Sequence, residues 1–145
     1  MKLKEIIDTA NERCKNVQDT GYYDSPKWYA RYFMMEGMLK ACEMVGEEIE
    51  VEEDTDMRCM AECYEEPYAK GVLSVSVRVG CREQPYKSHT PFFMQIRREG
   101  SDKWHTLLTN SYADNFTDVN YITETPPDAK EGDMYEVRVK VVKEN

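Results

Sequence analysis

Four residues in the middle of the chain have the side chains of a tetrahedral zinc site: Cys59, Cys63, Cys81 and His89. Three residues separate Cys59 from Cys63, a spacing that lets two thiolates share a metal on a helix or in a tight turn. On a β-strand the same two residues would stand about 13 Å apart, which is too far to bind one ion. We therefore expect free thiols, and neither a metal centre nor another cofactor.

Nucleophilic catalysis would need a cysteine or serine beside a base and an oxyanion-stabilising group. The chain has two histidines, His89 and His105, and neither lies in a local pattern that pairs it with a nucleophile. The G-x-S-x-G turn of serine hydrolases, the phosphate-binding P-loop and the dinucleotide-binding fingerprint do not occur in the sequence. We expect a protein that is not an enzyme.

A basic and aromatic group between residues 78 and 105 could bind a small anionic ligand. Guanidinium groups bind phosphate, and aromatic rings can stack on a base. The alternative is that the arginines are ordinary outward-facing side chains of strands. The residues that would contact such a ligand are Arg78, Arg82, Tyr86, Lys87, Arg97 and Arg98.

Acidic residues are concentrated in one segment. Residues 41–70 hold eleven acids against Arg58 and Lys70, whereas the rest of the chain has 17 acids and 17 bases, so this segment carries the net charge of -9. It is either a solvated surface or a face that docks on a basic partner and imitates nucleic acid. The overall acidity disfavours binding to duplex nucleic acid.

Two helices are predicted before residue 47. Apolar residues at spacings of three and four indicate an amphipathic helix over about 2–17, and Ser25 followed by Pro26 is typical of a helix start. This second helix, extending to about Gly46, has apolar side chains around more than half of its circumference. We expect it to pack between the first helix and a sheet, leaving some side chains for a partner or a second copy: Tyr29, Tyr32, Met35 and Met38.

From Glu47 onwards the apolar period changes to two, which predicts strands. The fold class is therefore α+β, with a helical hairpin over 1–46 packed on a mostly antiparallel β region over 47–145, folding as one cooperative unit. The expected strands cover 47–53, 57–64, 71–80, 91–98, 103–109, 118–124 and 133–142.

Two stretches after residue 71 resemble a fibronectin type III or immunoglobulin-like β-sandwich. "MQIRREGSDKWHTLLT" is similar to the central hairpin of such modules, and "DMYEVRVKVV" is similar to the strand that carries the tyrosine-corner residue. The resemblance implies that Tyr135 packs at a corner of the sheet, with its hydroxyl bonded to backbone a few residues upstream.

The sequence departs from this family in two ways. Val77 or Val79 stands where the family has a tryptophan, and no strand follows the one that is normally second to last. Either the segments at 47–53 and 57–64 supply strands and the sheet is permuted or topologically different, or the C-terminal strand leaves an edge for a helix, a second protomer or a partner strand. We favour the first alternative.

The leading functional hypothesis is a non-enzymatic protein-binding or adaptor protein that uses its helix surface or a sheet edge. The alternative is a small inhibitor or sequestering protein, of the kind that phages and mobile elements encode. It would block a nucleic-acid-binding enzyme with the acidic segment or hold an anionic nucleotide with the basic and aromatic group. The sequence has no apolar run of membrane-spanning length, and its five cysteines are irregularly spaced. We expect a cytoplasmic location and no membrane contact.

Overall fold

The computed structural model of the chain describes residues 1–21, 24–50, 55–79, 89–110, 112–113 and 120–143. These residues form two helices followed by two antiparallel four-stranded sheets, so the α+β class is confirmed. The strands are β1 Met57–Glu62, β2 Tyr64–Glu65, β3 Leu73–Val79, β4 Pro91–Arg98, β5 His105–Asn110, β6 Tyr112–Ala113, β7 Asn120–Glu124 and β8 Met134–Val141.

Both predicted helices are present. Helix α1 is Leu3–Cys14, and α2 is Pro26–Val45. The Ser25 side chain accepts a 3.1 Å hydrogen bond from the Trp28 amide, so it caps α2 as its position before Pro26 predicts. Gly46 ends α2 with φ of 71°, a left-handed conformation that glycine adopts without strain.

The strands form two sheets that face each other. Sheet I has the order β1-β8-β4-β5, and sheet II has the order β2-β3-β7-β6. Inward side chains from both sheets, including Val77, Ile96, Ile122 and Val137, form one buried apolar core. The described part of the chain is thus a β-sandwich with an added helical layer.

The helices cover the outer face of sheet I. Leu3, Ile6 and Ala10 of α1 and Met35 of α2 pack with Phe93 in a second buried cluster. Strand β4 lies between the two clusters, which explains why Phe92 and Phe93, on opposite faces, are both fully buried. The predicted segments 1–46 and 47–145 share this second cluster.

The last strand is in the interior of sheet I. Strand β8 pairs with β4 on one side and with β1 on the other, with Cys59 opposite Val137. The segment 57–64, one of the two segments named in the favoured alternative, therefore supplies the strand that covers β8. No edge at β8 remains for a helix or a partner strand to cover.

Three details differ from the predictions. Residues 47–50 are not a strand, because Glu50 forms only an isolated bridge with Lys2, and residues 51–53 lie outside the described ranges. The segment 57–64 is divided at Cys63, where the chain passes from sheet I to sheet II. The short strand β6 was not predicted.

Tyr135 is buried in the sandwich core, but the expected tyrosine corner is not formed. Its hydroxyl makes no backbone hydrogen bond within the described ranges and faces the Arg98 guanidinium, whose pKa it raises. Arg98 in turn contacts Asp133, with Nε 3.3 Å from the carboxylate. The position of the ring agrees with the resemblance, whereas the hydroxyl contact does not.

Candidate interaction surface on the second helix

The inner side of α2 explains most of its apolar content. Arg31, Met35 and Cys42 are buried, and Met38 and Leu39 pack against the helix cluster. These side chains contact α1 and the outer face of sheet I, as the predicted packing between a helix and a sheet requires. Met35 belongs to this core and cannot contact a partner without unfolding.

Tyr32 also serves the intramolecular packing. Its hydroxyl donates a 3.3 Å hydrogen bond to the Leu108 carbonyl of β5. Burial, with smaller contributions from Glu36 and Glu124, raises the pKa of Tyr32 to about 12. Of the four predicted contact residues, Tyr29 is the one that lies clearly on the surface, at 44% exposure.

Four aromatic rings form two layers at the start of α2. Trp28 and Tyr32 stack with centroids 5.0 Å apart, and Tyr29 and Phe33 stack at 5.9 Å. The Trp28 indole also donates a 3.1 Å hydrogen bond to the His89 carbonyl, which fixes the inner pair to the sandwich. The outer pair rests on this support, so Phe33 is held in place while 60% of its surface is exposed.

The exposed apolar side chains continue along the helix. Gly37, Ala41 and Met44 follow Phe33 at spacings of three or four, and Met44 is 87% exposed. Lys40 and Glu36 form a 2.7 Å ion pair beside them. We call this outward line of residues the outer stripe: Tyr29, Phe33, Gly37, Ala41 and Met44.

The contact residues predicted from the sequence did not include Phe33, Gly37, Ala41 and Met44. Their spacing from Tyr29 was a usable signal, since side chains at i, i+4 and i+8 share one face. This spacing alone could not identify the outer face of α2, because the helix is apolar on most of its circumference. Only the position of sheet I decides which face is inside.

The described members of the predicted basic group do not come together in one site. Arg78 is exposed on sheet II, whereas Arg97 lies on the outer face of sheet I and Arg98 contacts Asp133. Arg82, Tyr86 and Lys87 lie outside the described residues.

The Arg97 guanidinium lies over the Trp104 ring, 4.5 Å from its centroid, and Arg138 lies 4.7 Å from the same centroid. Arg97 is also paired with Glu136, its neighbour across β4 and β8. Such stacking holds the guanidinium groups by cation–π attraction, and it uses ring surface on which a base would otherwise stack. Arg138 was missed because only the strand register brings it beside Trp104.

The zinc candidates are far apart. The backbone of Cys63 forms hydrogen bonds near Asp133, at the start of β8. His89 precedes Pro91, whose carbonyl accepts a hydrogen bond from the Val142 amide at the end of β8. About nine residues of strand separate the two positions, or roughly 30 Å. Cys81 lies outside the described ranges, and within them no group of three metal-ligating side chains occurs. Among the described cysteines, Cys14, Cys42, Cys59 and Cys63 form no disulfide bond.

Two further titratable groups have shifted pKa values. Burial raises the pKa of Glu124, partly offset by a hydrogen bond from Thr109, and burial lowers the pKa of His105. Glu124 lies on sheet II and His105 on sheet I, and each shift has desolvation as its largest cause. Desolvation of this kind accompanies packing at the sandwich margin and does not by itself indicate catalysis.

Comparison of the chain with protein-family models, curated proteins and solved structures gave no match in any of the three. Among the described helices, neither has the length and apolarity needed to cross a membrane.

Proposed function

We propose that the chain is a non-enzymatic protein-binding module that uses the outer stripe of α2. The observation that carries this proposal is the exposure of a stacked aromatic pair, Tyr29 and Phe33. The inner stacked pair, Trp28 and Tyr32, supports these two rings from below. Elsewhere in the described chain, both other phenylalanines, Phe92 and Phe93, are fully buried. Tyr68, in the turn after β2, is also exposed, so Tyr29 and Phe33 are distinguished by being a stacked pair on one face of a helix.

The stripe has the properties of a binding surface. Aromatic side chains give a large contact area and lose little rotamer freedom, and they are frequent among the residues that dominate interface energies. Full burial of a side chain such as that of Phe33 or Met44 contributes about 1.5–3 kcal/mol. The Glu36–Lys40 ion pair, the exposed Glu43 and the half-buried Lys27 supply a polar rim.

Two other versions of the hypothesis have less support. A contact through the C-terminal strand lacks an edge, because β8 is paired on both sides. An anionic nucleotide held by the basic and aromatic group lacks a common site, because Arg78 and Arg97 are on different sheets.

We also propose that the sandwich is of the immunoglobulin type but has a permuted strand order: the strand that is last in an immunoglobulin domain precedes the others here. Constant-type domains have strands ABED in one sheet and CFG in the other. In chain order β2, β3, β4, β6, β7 and β8 correspond to A, B, C, D, E and F, so sheet II reads A-B-E-D. Strand β1 pairs antiparallel with β8 where the last strand, G, would lie. Fast hydrogen exchange at the β8 amides that face β1 would contradict this relation.

Affinity capture combined with side-chain footprinting tests the proposed function. The full chain, immobilised as wild type, Phe33→Glu or Met60→Glu, is exposed to extract of the organism that makes it. Met60 is the matched control, because it is an exposed apolar residue on a strand of sheet I, at 50% exposure. We expect a protein that is retained by the wild type and by Met60→Glu, that is lost with Phe33→Glu, and that protects Tyr29, Phe33 and Met44 from hydroxyl radicals.

Retention that is equal on all three chains, or binding that leaves Tyr29, Phe33 and Met44 unprotected, would show that the outer stripe is not the binding surface. A wild-type chain that retains no protein and also fails to associate with itself would remove the proposal.

A further inference from the structure

We infer that the partner of the outer stripe is a second copy of this chain, with the two α2 helices packed antiparallel across a two-fold axis near Gly37. The inference rests on the proposed function, and it adds the identity of the partner and the geometry of the contact. A two-fold interface must be self-complementary, because the same surface appears on both sides.

When two copies of the stripe run in opposite directions, the large side chains of one copy lie opposite the small side chains of the other. The first half carries Tyr29 and Phe33, the centre is Gly37, and the second half begins with Ala41. In an antiparallel pair centred on Gly37, Phe33 lies opposite Ala41 of the second copy, and Tyr29 lies opposite Val45 of the second copy. A parallel pair would instead place Phe33 against itself and Ala41 against itself, leaving a gap at the small residues.

Within the described part of the chain, no neighbouring atom requires glycine at position 37. A Cβ built at this position meets nothing within 4 Å, and the residue lies inside a helix, where glycine is less favourable than almost any other residue. On the outer face of α2 it permits the closest approach of another helix backbone. Close packing at a small residue also lets the neighbouring Phe33 rings reach the opposite helix.

The charges beside the stripe are compatible with self-association. Glu36 and Lys40 form an ion pair within one helix. In the antiparallel pair, Lys40 lies about 3 Å along the axis from Glu36 of the second copy and on the same side of the contact. The Glu36–Lys40 pairs of the two copies can therefore combine into one group of four charges at the rim of the interface.

The net charge of -9 on each chain opposes association at low ionic strength. Salt screens this repulsion, so we expect the dimer dissociation constant to fall as ionic strength rises from about 0.05 M to about 0.5 M. A basic protein bound to the same face would show the opposite salt dependence.

Sedimentation equilibrium of the purified full chain tests the inference with three variants. We expect the wild type and Met60→Glu to form dimers, and Phe33→Glu and Gly37→Gln to have dissociation constants at least tenfold higher. The Gly37→Gln variant is the decisive one, because a longer side chain at an open helical site should leave the melting temperature of the monomer unchanged or raise it. Loss of the dimer together with retained or higher thermal stability cannot result from unfolding.

Two results would overturn the inference: a wild-type chain that stays monomeric up to about 0.1 mM, well above the micromolar range, or a dimer that Phe33→Glu and Gly37→Gln leave intact. In the first case the proposed function is still judged separately by the extract experiment. A monomeric chain that retains another protein through Phe33 would support the function and contradict self-association.

Discussion

Phe92→Ala and Phe93→Ala are each expected to lower the free energy of unfolding by about 3–5 kcal/mol, the usual cost of truncating a buried phenylalanine. The two residues are neighbours on β4 and are both fully buried. Phe92 packs in the core between the sheets, whereas Phe93 packs against the helices. If helices and sandwich are one cooperative unit, both variants will shift the same single transition.

The measurement is urea unfolding followed by far-ultraviolet circular dichroism, which reports mainly α1 and α2, and by tryptophan fluorescence. Tyr68→Ala is the control, because Tyr68 is fully exposed and lies outside the outer stripe, so its truncation should change the free energy of unfolding by no more than about 0.5 kcal/mol. Separate helix and sheet transitions in Phe93→Ala, with one transition in Phe92→Ala, would show that the segments 1–46 and 47–145 unfold independently.

The elements that follow from local patterns could be predicted from the sequence. Ser25 and Pro26 set the start of α2, because a side-chain cap and a fixed φ act within one turn. Alternation of Tyr135, Val137, Val139 and Val141 predicted β8, because one of its faces lies in the sandwich core. In each case the residues that determine the structure are close in sequence.

The features that depend on long-range pairing could not be predicted. The passage of the chain from sheet I to sheet II at Cys63 depends on β8, which pairs with β1 from far along the chain, although β2 pairs with the nearby β3. Arg138 meets Trp104 only through the register of β4 and β8. No local pattern carries such information.

The candidate site could be predicted from the sequence only in part. Of the contact residues predicted from the sequence, Tyr29 is exposed, whereas Met35 is fully buried. Since α2 is apolar on most of its circumference, helical periodicity gives the relative angles of the side chains without saying which angle faces the sheet. The outer stripe becomes visible once the inner face is known.

Asn11→Ala is expected to lower the free energy of unfolding by about 3 kcal/mol, because the buried amide joins three parts of the chain. Its Oδ1 accepts a 2.8 Å hydrogen bond from Nε of the buried Arg31, and its Nδ2 donates a 3.0 Å bond to the Lys143 carbonyl. Alanine removes both bonds and leaves part of a buried guanidinium without its acceptor. Glu12→Ala, next to Asn11 and exposed, should cost no more than about 0.5 kcal/mol.

The variant Asn11→Asp separates the two bonds, with chemical denaturation at neutral pH as the measurement. The carboxylate keeps an acceptor for Arg31 and adds an opposite charge, but it cannot donate to the Lys143 carbonyl. If the contact with Arg31 is the larger contribution, Asn11→Asp will cost clearly less than Asn11→Ala. Equal losses would assign the effect to the bond with Lys143, and a loss below about 1 kcal/mol for both would mean that Arg31 is stabilised by its other contacts.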